Sequence, residues 1–315
     1  MRKLLAVVVA ALTITSLTAC TSHTATDMYS NLKAECGTYK TGPNVAAVKV
    51  TETPGSKIPT VTFPAGIDSK ILETKVISKG TGPAITGSQF IDFEFIQGSG
   101  STGKVTGASK FDGTDERSQY LGGKTNLCGA LAGVTEGSRV AVVVPSSIMS
   151  AGAAVANAGV FVFEIKKVYL PHAVGDEQSN QNGFPTVIRA TTGQPTIRFG
   201  NDSAPTSLKV ATMIKGWGPK VEANKGEKVT IHYTGWVWSS HVKFDSSWDN
   251  KLPAQFELAS GSLIPGMVQG LDGQTVGSQV LLVIPPSLGY KSQAMQSIPA
   301  NSTLVFVVDI LGFSK

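Results

Sequence analysis

The sequence predicts an α+β protein made of two tandem modules, each an antiparallel sheet with one short helix laid across it. Three observations carry this reading. Length is the first: 315 residues suggest about two domains at roughly 100–200 residues each. An internal repeat is the second, and it decides the architecture. Pro59-Thr60-Val61-Thr62-Phe63 recurs as Pro195-Thr196-Ile197-Arg198-Phe199, and Lys79-Gly80-Thr81-Gly82-Pro83 as Lys215-Gly216-Trp217-Gly218-Pro219. Lys110-Phe111-Asp112 recurs as Lys243-Phe244-Asp245. Thr135-Glu136-Gly137-Ser138-Arg139-Val140 matches Thr275-Val276-Gly277-Ser278-Gln279-Val280. Val160-Phe161-Val162-Phe163-Glu164-Ile165 matches Val305-Phe306-Val307-Val308-Asp309-Ile310. Composition is the third: 34 Gly and 16 Pro, among many β-branched residues, favour short strands and tight turns.

Taken in order, the chain opens on an address. Arg2 and Lys3 are followed by an apolar run from Leu4 to Leu12, the pattern of a secretory signal that is removed. The segment ends Leu17-Thr18-Ala19-Cys20, which resembles the lipobox of bacterial lipoproteins. There the Cys is diacylated and becomes the mature N-terminus, because only a thiol forms the thioether. Residues 1–20 are therefore read as a lipoprotein signal peptide with lipidation at Cys20. Acyl chains contribute about 0.8 kcal/mol per buried methylene. The expected location is the extracytoplasmic side of a cell membrane, held by lipid. Of the three cysteines, Cys36 and Cys128 remain. In an oxidising compartment they either pair, pinning the N-terminal segment to the first module, or stay as separate buried thiols. Residues 21–44 are polar and read as a tether. The first module spans 45–170, a polar linker 171–183, and the second module 184–315.

The second module carries the clearest pattern. Val229, Ile231 and Tyr233 alternate with residues of the opposite face, as in a half-buried strand. Val280 to Ile284 is a continuous apolar run stopped by Pro285-Pro286, and Leu304 to Leu311 is another. Between them Ile264, Met267, Val268 and Leu271 fall at i, i+3, i+4 and i+7, one face of a short helix. An antiparallel sheet has a face to bury, and one helix can cover it. The first module keeps that helix in outline through Leu127, Cys128 and Leu131.

Five blocks follow one another in this module. They are GEKVTIHYTGWVW from Gly226, KFDSS from Lys243, LIPGMVQGLDGQTVG from Leu263, QVLLVIPPSLGY from Gln279 and IPANSTLVFVVDIL from Ile298. In this order and spacing they resemble the FKBP-type peptidyl-prolyl cis-trans isomerases, the immunophilins that bind macrolides. The resemblance implies a strongly bent sheet wrapped around the short helix in each module. It also implies prolyl isomerisation without a cofactor, and the pocket residues. Tyr233 and Phe244 are aromatic walls, Asp245 a polar handle beside the substrate carbonyl, and Leu263 and Ile264 an apolar edge whose Ile264 N–H donates. Met267 is the floor, Tyr290 a hydroxyl donor, and Ile298 and Phe306 close the pocket. Three residues depart from the family pattern. Met267 stands where many members have Trp, Ala254 replaces a common aromatic, and Asn250 replaces an Arg that often partners the Asp. Trp248 is a candidate to replace a missing aromatic.

The chemistry needs no nucleophile. Rotating a peptide bond costs about 18–20 kcal/mol because C–N resonance is lost. The twisted amide is less polar than the planar one, so a dry aromatic pocket binds it better. No GxSxG, HExxH or Walker pattern is present, and the four His are dispersed. The net charge of +5 is scattered, without the basic stripe that nucleic acid requires. The expected partners are X-Pro segments of exported proteins, the membrane and a macrolide-type ligand. The expected function is isomerisation that assists the folding of exported proteins. The alternative is a non-catalytic binding or chaperone module for proline-containing segments or a partner protein. In the first module Tyr233 falls opposite Glu94 or Phe95, Tyr290 opposite Ser150, and Leu263-Ile264 opposite Gly123-Lys124. Phe111-Asp112 and Phe161 remain. That module reads as a non-catalytic spacer or docking element.

Overall fold

The computed structural model of the chain describes residues 23–30, 32–122, 127–149 and 157–314. Cys20, Gly123, Lys124 and Ser150 lie outside the described residues. Among the described residues there are five short α-helices: α1 Asp27–Ser30, α2 Pro43–Ala46, α3 Leu127–Leu131, α4 Ser146–Met149 and α5 Pro265–Leu271. The first strands are β1 Lys49–Thr51, β2 Thr60–Thr62, β3 Glu73–Ser78, β4 Phe90–Ser99, β5 Lys104–Ala108, β6 Arg117–Tyr120, β7 Arg139–Val144 and β8 Gly159–Val168. The later ones are β9 Gly175–Glu177, β10 Thr186–Arg189, β11 Pro195–Arg198, β12 Lys209–Gly216, β13 Lys228–Val237, β14 Lys243–Ser246, β15 Ala254–Glu257, β16 Gln279–Ile284 and β17 Leu304–Ser314.

Two antiparallel sheets hold most of these strands. The N-terminal sheet runs β3-β7-β8-β4-β5, with β6 also on β4. The C-terminal sheet runs β12-β16-β17-β13-β14, with β15 on β13 and β9 added outside β12. The two orders agree strand for strand, and so do their irregularities. Register shifts fall at Asp92/Phe93 and Thr230/Ile231, at Gln97/Gly98 and Gly235/Trp236, and at Val76/Ser78 and Thr212/Ile214. Each such shift bends its strand and raises the local twist.

The repeated motifs have a local reason. Ser138 Oγ accepts the Gly80 N–H at 2.9 Å, and Thr135 Oγ1 donates to the Gly80 carbonyl at 2.8 Å. Ser278 and Thr275 make the same two bonds to Gly216, at 3.0 and 2.8 Å. A Cβ on Gly80 or Gly216 would lie 2.1 or 2.2 Å from a backbone carbonyl oxygen. The Lys-Gly and Thr-x-Gly-Ser blocks recur because each holds a strand end against the opposite turn.

Each sheet is covered on both faces. In the C-terminal sheet Val280, Leu282 and Ile284 pack with α5, while Leu281 and Val283 pack under the β10–β11 hairpin with Trp236 and Trp238. All of β16 is buried. Burial on both faces explains a continuous apolar run where one-sided burial gives alternation. In the N-terminal sheet α3 covers one face and the β1–β2 hairpin the other. Pro265 opens α5 at its first position, where its missing N–H costs nothing. Ile264 before it is extended, at φ −61° and ψ 146°, as a residue preceding proline prefers. A Cβ on Gly266 would meet Ile284 at 2.4 Å, and one on Gly270 would meet Leu282 at 2.5 Å. These two glycines, one turn apart, let α5 lie directly on β16.

The structure corrects three expectations. Residues 21–44, expected as a tether, are docked where they are described. Met28 is 1% exposed within the C-terminal core, and Tyr29 donates to the Val168 carbonyl at 3.0 Å. Cys36 is disulfide-bonded to Cys128, with Cα atoms 5.5 Å apart. The apolar side chains of Met28, Tyr29 and Leu32 outweigh the polar average of the segment. The linker 171–183 is also ordered into the sheet. Ala173 N–H bonds Asp309, Val174 N–H bonds the Gly277 carbonyl, and β9 pairs with β12. An edge strand can be polar in its side chains while its backbone is paired.

The third correction concerns register. Tyr233 pairs with Val308, and Phe95 with Phe163, so Tyr233 corresponds to Phe95 and not Glu94. Asp245 pairs with Gly235, and Gly107 with Gln97. Ser247 and Ser109 each accept a backbone N–H, from Tyr233 and Phe95 respectively. Lys243-Phe244-Asp245 therefore corresponds to Val105-Thr106-Gly107. Lys110-Phe111-Asp112 lies beyond β5, and Phe111 is buried with the hairpin-side core. The three-residue match was coincidental in register, so Phe111-Asp112 is not a remnant of the pocket.

Candidate active site

One cavity of about 600 Å³ opens between α5 and the bent part of the C-terminal sheet. Strand β13 supplies Tyr233, β14 Phe244 and Asp245, and β17 Phe306. The approach to α5 supplies Leu263 and Ile264, the helix Met267, and the turn after β16 Tyr290. Eight of the nine pocket residues singled out in the sequence thus meet around one space. Ile298 is the exception: it is buried in the adjoining core with Met267 and Phe306, and does not line the cavity.

Backbone geometry sets the aromatic walls. Gly235 ends the HYTG block, and a Cβ there would lie 2.4 Å from Phe244 and 2.9 Å from Phe306. Its bare backbone lets both rings lie against β13. Phe244 and Phe306 meet edge to face at 5.5 Å, and Tyr233 lies 6.3 Å from Phe306. Met267 is 4% exposed and forms the floor. Tyr233, Phe244, Leu263 and Ile264 are part-buried and Phe306 is buried, while Asp245 at the rim is exposed.

The polar groups are few. The Tyr233 hydroxyl donates to Asp245 Oδ2. Burial, together with this carboxylate, pushes the Tyr233 phenol well above its ordinary value. Burial and Asp245 also raise Tyr290. Both phenols therefore remain protonated donors at neutral pH. Behind the wall Ser247 Oγ bonds His232 Nδ1 at 2.8 Å and accepts the Tyr233 N–H at 2.9 Å. That bond ties the end of β14 to the strand bearing Tyr233.

Two residues differ from the sequence reading. Trp248 does not replace a missing aromatic: it stacks on His232 at 3.9 Å, on the side of β13 away from the cavity, and is not among the lining residues. Phe256 on β15 does line the cavity, 6.4 Å from Tyr233. In the structure Ala254 pairs with Ile231 and Phe256 with Val229, which puts alternate β15 side chains on the pocket face.

Comparison with known proteins adds the decisive observation. The family model for FKBP-type peptidyl-prolyl cis-trans isomerases matches residues 219–311. An FK506-binding protein of Streptomyces anulatus is 34% identical over 120 residues, covering 95% of that protein and 38% of this chain. The chain belongs to the FKBP-type peptidyl-prolyl cis-trans isomerase family. An FK506-binding protein of Neisseria meningitidis is 38% identical over 106 residues, 94% of its own length and 33% of this chain. FK506-binding protein 2 of Dictyostelium discoideum is 44% identical over 95 residues, covering 71% of that protein and 30% of this chain. The matched family segment contains all nine of the residues singled out above. Membership makes the chain an enzyme of the prolyl isomerase class.

Proposed function

We propose that the C-terminal cavity twists X-Pro bonds in exported proteins, at the outer face of a membrane to which Cys20 lipid holds the chain. The observation that carries this reading is the aromatic cavity with one Tyr233–Asp245 pair at its rim. X-Pro bonds exchange over tens of seconds or longer, slowly enough to limit folding. In the cavity Tyr233, Phe244, Met267 and Phe306 surround the prolyl ring. Tyr290 O–H and Ile264 N–H donate to substrate carbonyls, and Asp245 orients the bond to be twisted. Dry walls favour the less polar twisted amide over the planar one, which lowers the barrier and leaves the ground state alone. A macrolide of the FK506 type, after which the relatives are named, would fill the same space.

The N-terminal half is read as a degenerate copy of the same module, on the shared strand order and register shifts. The experiment is refolding of a protein limited by X-Pro isomerisation, with the chain from residue 21 onward. Acceleration that FK506 abolishes supports the reading. A folded chain that binds the refolding protein without acceleration supports the alternative, a module that grips proline segments. The non-aromatic floor at Met267 is the observation favouring that alternative. The membrane part has its own test: replacing Cys20 with Ser should release the protein from the membrane fraction, and retention would contradict lipid anchoring.

A further inference from the structure

A second cavity, of about 490 Å³, opens in the N-terminal sheet at the place corresponding to the C-terminal one. This is within the ~300–1,000 Å³ of ligand sites. The pairing registers give the correspondence residue by residue. Phe93, Phe95 and Phe161 stand where Ile231, Tyr233 and Phe306 stand. Phe163 stands where Val308 does. The aromatic rings of these walls are all phenylalanine, without the two tyrosines of the C-terminal cavity. Phe161 and Phe163 stack at 5.7 Å, and Phe93 meets Phe163 edge to face at 5.2 Å. Phe93, Phe95 and Phe161 keep part of their surface open.

The polar handles have been exchanged. Phe95 replaces the Tyr233 hydroxyl, and Gly107 replaces the Asp245 carboxylate. On the neighbouring strand Arg117 takes the position of Ala254, and Gln119 that of Phe256. The Arg117 side chain is 59% exposed and pairs with Asp115 at 3.1 Å. Among the described residues it is the sole charged group lining this cavity. The pocket can hold a large apolar side chain and meets it with a cation at the rim, and among the described residues it lacks counterparts of the Tyr233 hydroxyl and the Asp245 carboxylate.

We propose that this cavity is a second polypeptide-binding site, which takes an aromatic or branched aliphatic side chain from an extended segment with acidic flanks and leaves its peptide bonds untwisted. The choice of polypeptide rests on the reading of the C-terminal cavity as a site for prolyl segments; the choice of acidic flanks rests on Arg117. The site would hold an unfolded chain while the C-terminal cavity acts on its prolines.

The test uses the chain from residue 21 onward and a fluorescein-labelled, proline-free peptide with two phenylalanines between aspartates, beside a version with lysines. Fluorescence anisotropy should show saturable binding that favours the acidic peptide by about tenfold, ~1.4 kcal/mol. Arg117→Glu, at an exposed position, should abolish or reverse that preference. Phe95→Ala should weaken both peptides about tenfold or more, while X-Pro acceleration stays at the parent's level. Absence of saturable binding would overturn the proposal. So would binding that FK506 displaces and Phe95→Ala leaves alone, because that places the peptide in the C-terminal cavity. An intact acidic preference in Arg117→Glu would overturn it too, and decides the matter even where Phe95→Ala does not fold. Loss of X-Pro acceleration in the parent would instead count against the C-terminal reading, independently of Phe95-sensitive binding.

Discussion

His232 and Asp309 face each other across β13 and β17, and both are nearly fully buried. Burial pushes His232 down to about 3, with His172 adding to the effect. Burial pushes Asp309 up to about 6, opposed by bonds from the Ala173 N–H and Gln279. As pH falls below the ordinary ~6.5 of histidine, the unfolded chain takes a proton that His232 refuses. Its contribution is full above that value and is lost as pH falls towards 3. Asp309 acts oppositely: its contribution is full below the ordinary ~3.9 of aspartate and is lost as pH rises through about 6. Each changes stability by ~1.4 kcal/mol per pH unit, so from about pH 4 to 6 the two nearly cancel. Asp309→Asn should therefore lose stability as pH falls from 6 to 4, and His232→Gln should gain it, each at roughly that slope relative to the parent. Urea denaturation at several pH values checks both; parallel profiles for parent and variants would contradict the assignment. At this scale the cavity was legible where a residue had an odd polarity for its surroundings, as with Tyr233, Asp245 and Tyr290. Phe256 was not, because a lone aromatic in a short strand looks like ordinary core. Trp248 misled because adjacency in sequence does not say which side of a strand a ring takes.

Among the elements, α5 depends on its glycines more than on helix propensity. Glycine inside a helix ordinarily costs about 0.5–1 kcal/mol relative to alanine. Here a methyl at Gly266 or Gly270 would press on Ile284 or Leu282. Gly270→Ala should therefore destabilise, by about 1–3 kcal/mol from overpacking, although it improves propensity. A melting temperature at or above the parent's would show that α5 can move off β16. The helix itself was legible from the i, i+3, i+4, i+7 spacing, and β16 and β17 from their apolar runs. The strap at 171–183 and the segment before α2 were not, since composition reports side chains while their order comes from backbone pairing and a few apolar anchors. The displacement of Lys110-Phe111-Asp112 has a similar cause: three matched residues fix a register poorly, whereas ten paired positions fix it well.

At the scale of the whole molecule, the halves share a core. Met28, Phe90, Tyr169 and Leu170 pack with the C-terminal sheet, and the Leu170 N–H bonds the Leu311 carbonyl at 3.0 Å. The Cys36–Cys128 bond spans 92 residues and holds the Met28 segment in that junction. Replacing both cysteines with serine should cost about 2–5 kcal/mol, read by denaturant unfolding with and without reductant. An unchanged midpoint would mean that packing alone holds the segment. The repeat made two sheets legible, but the junction was hidden, because its residues match nothing in the other half. The shared core also means that the full chain, not an isolated half, is the proper enzyme to assay. The most direct test of the site is therefore isomerisation of a short X-Pro peptide by the chain from residue 21 onward, beside Tyr290→Phe and Asp245→Ala. Loss of one positioned hydrogen bond of about 1–2 kcal/mol should lower kcat/KM roughly five- to thirtyfold in each variant, with folding intact. Parent activity that both variants retain in full would contradict the assignment of these two residues, and a folded parent without acceleration would contradict catalysis by this cavity.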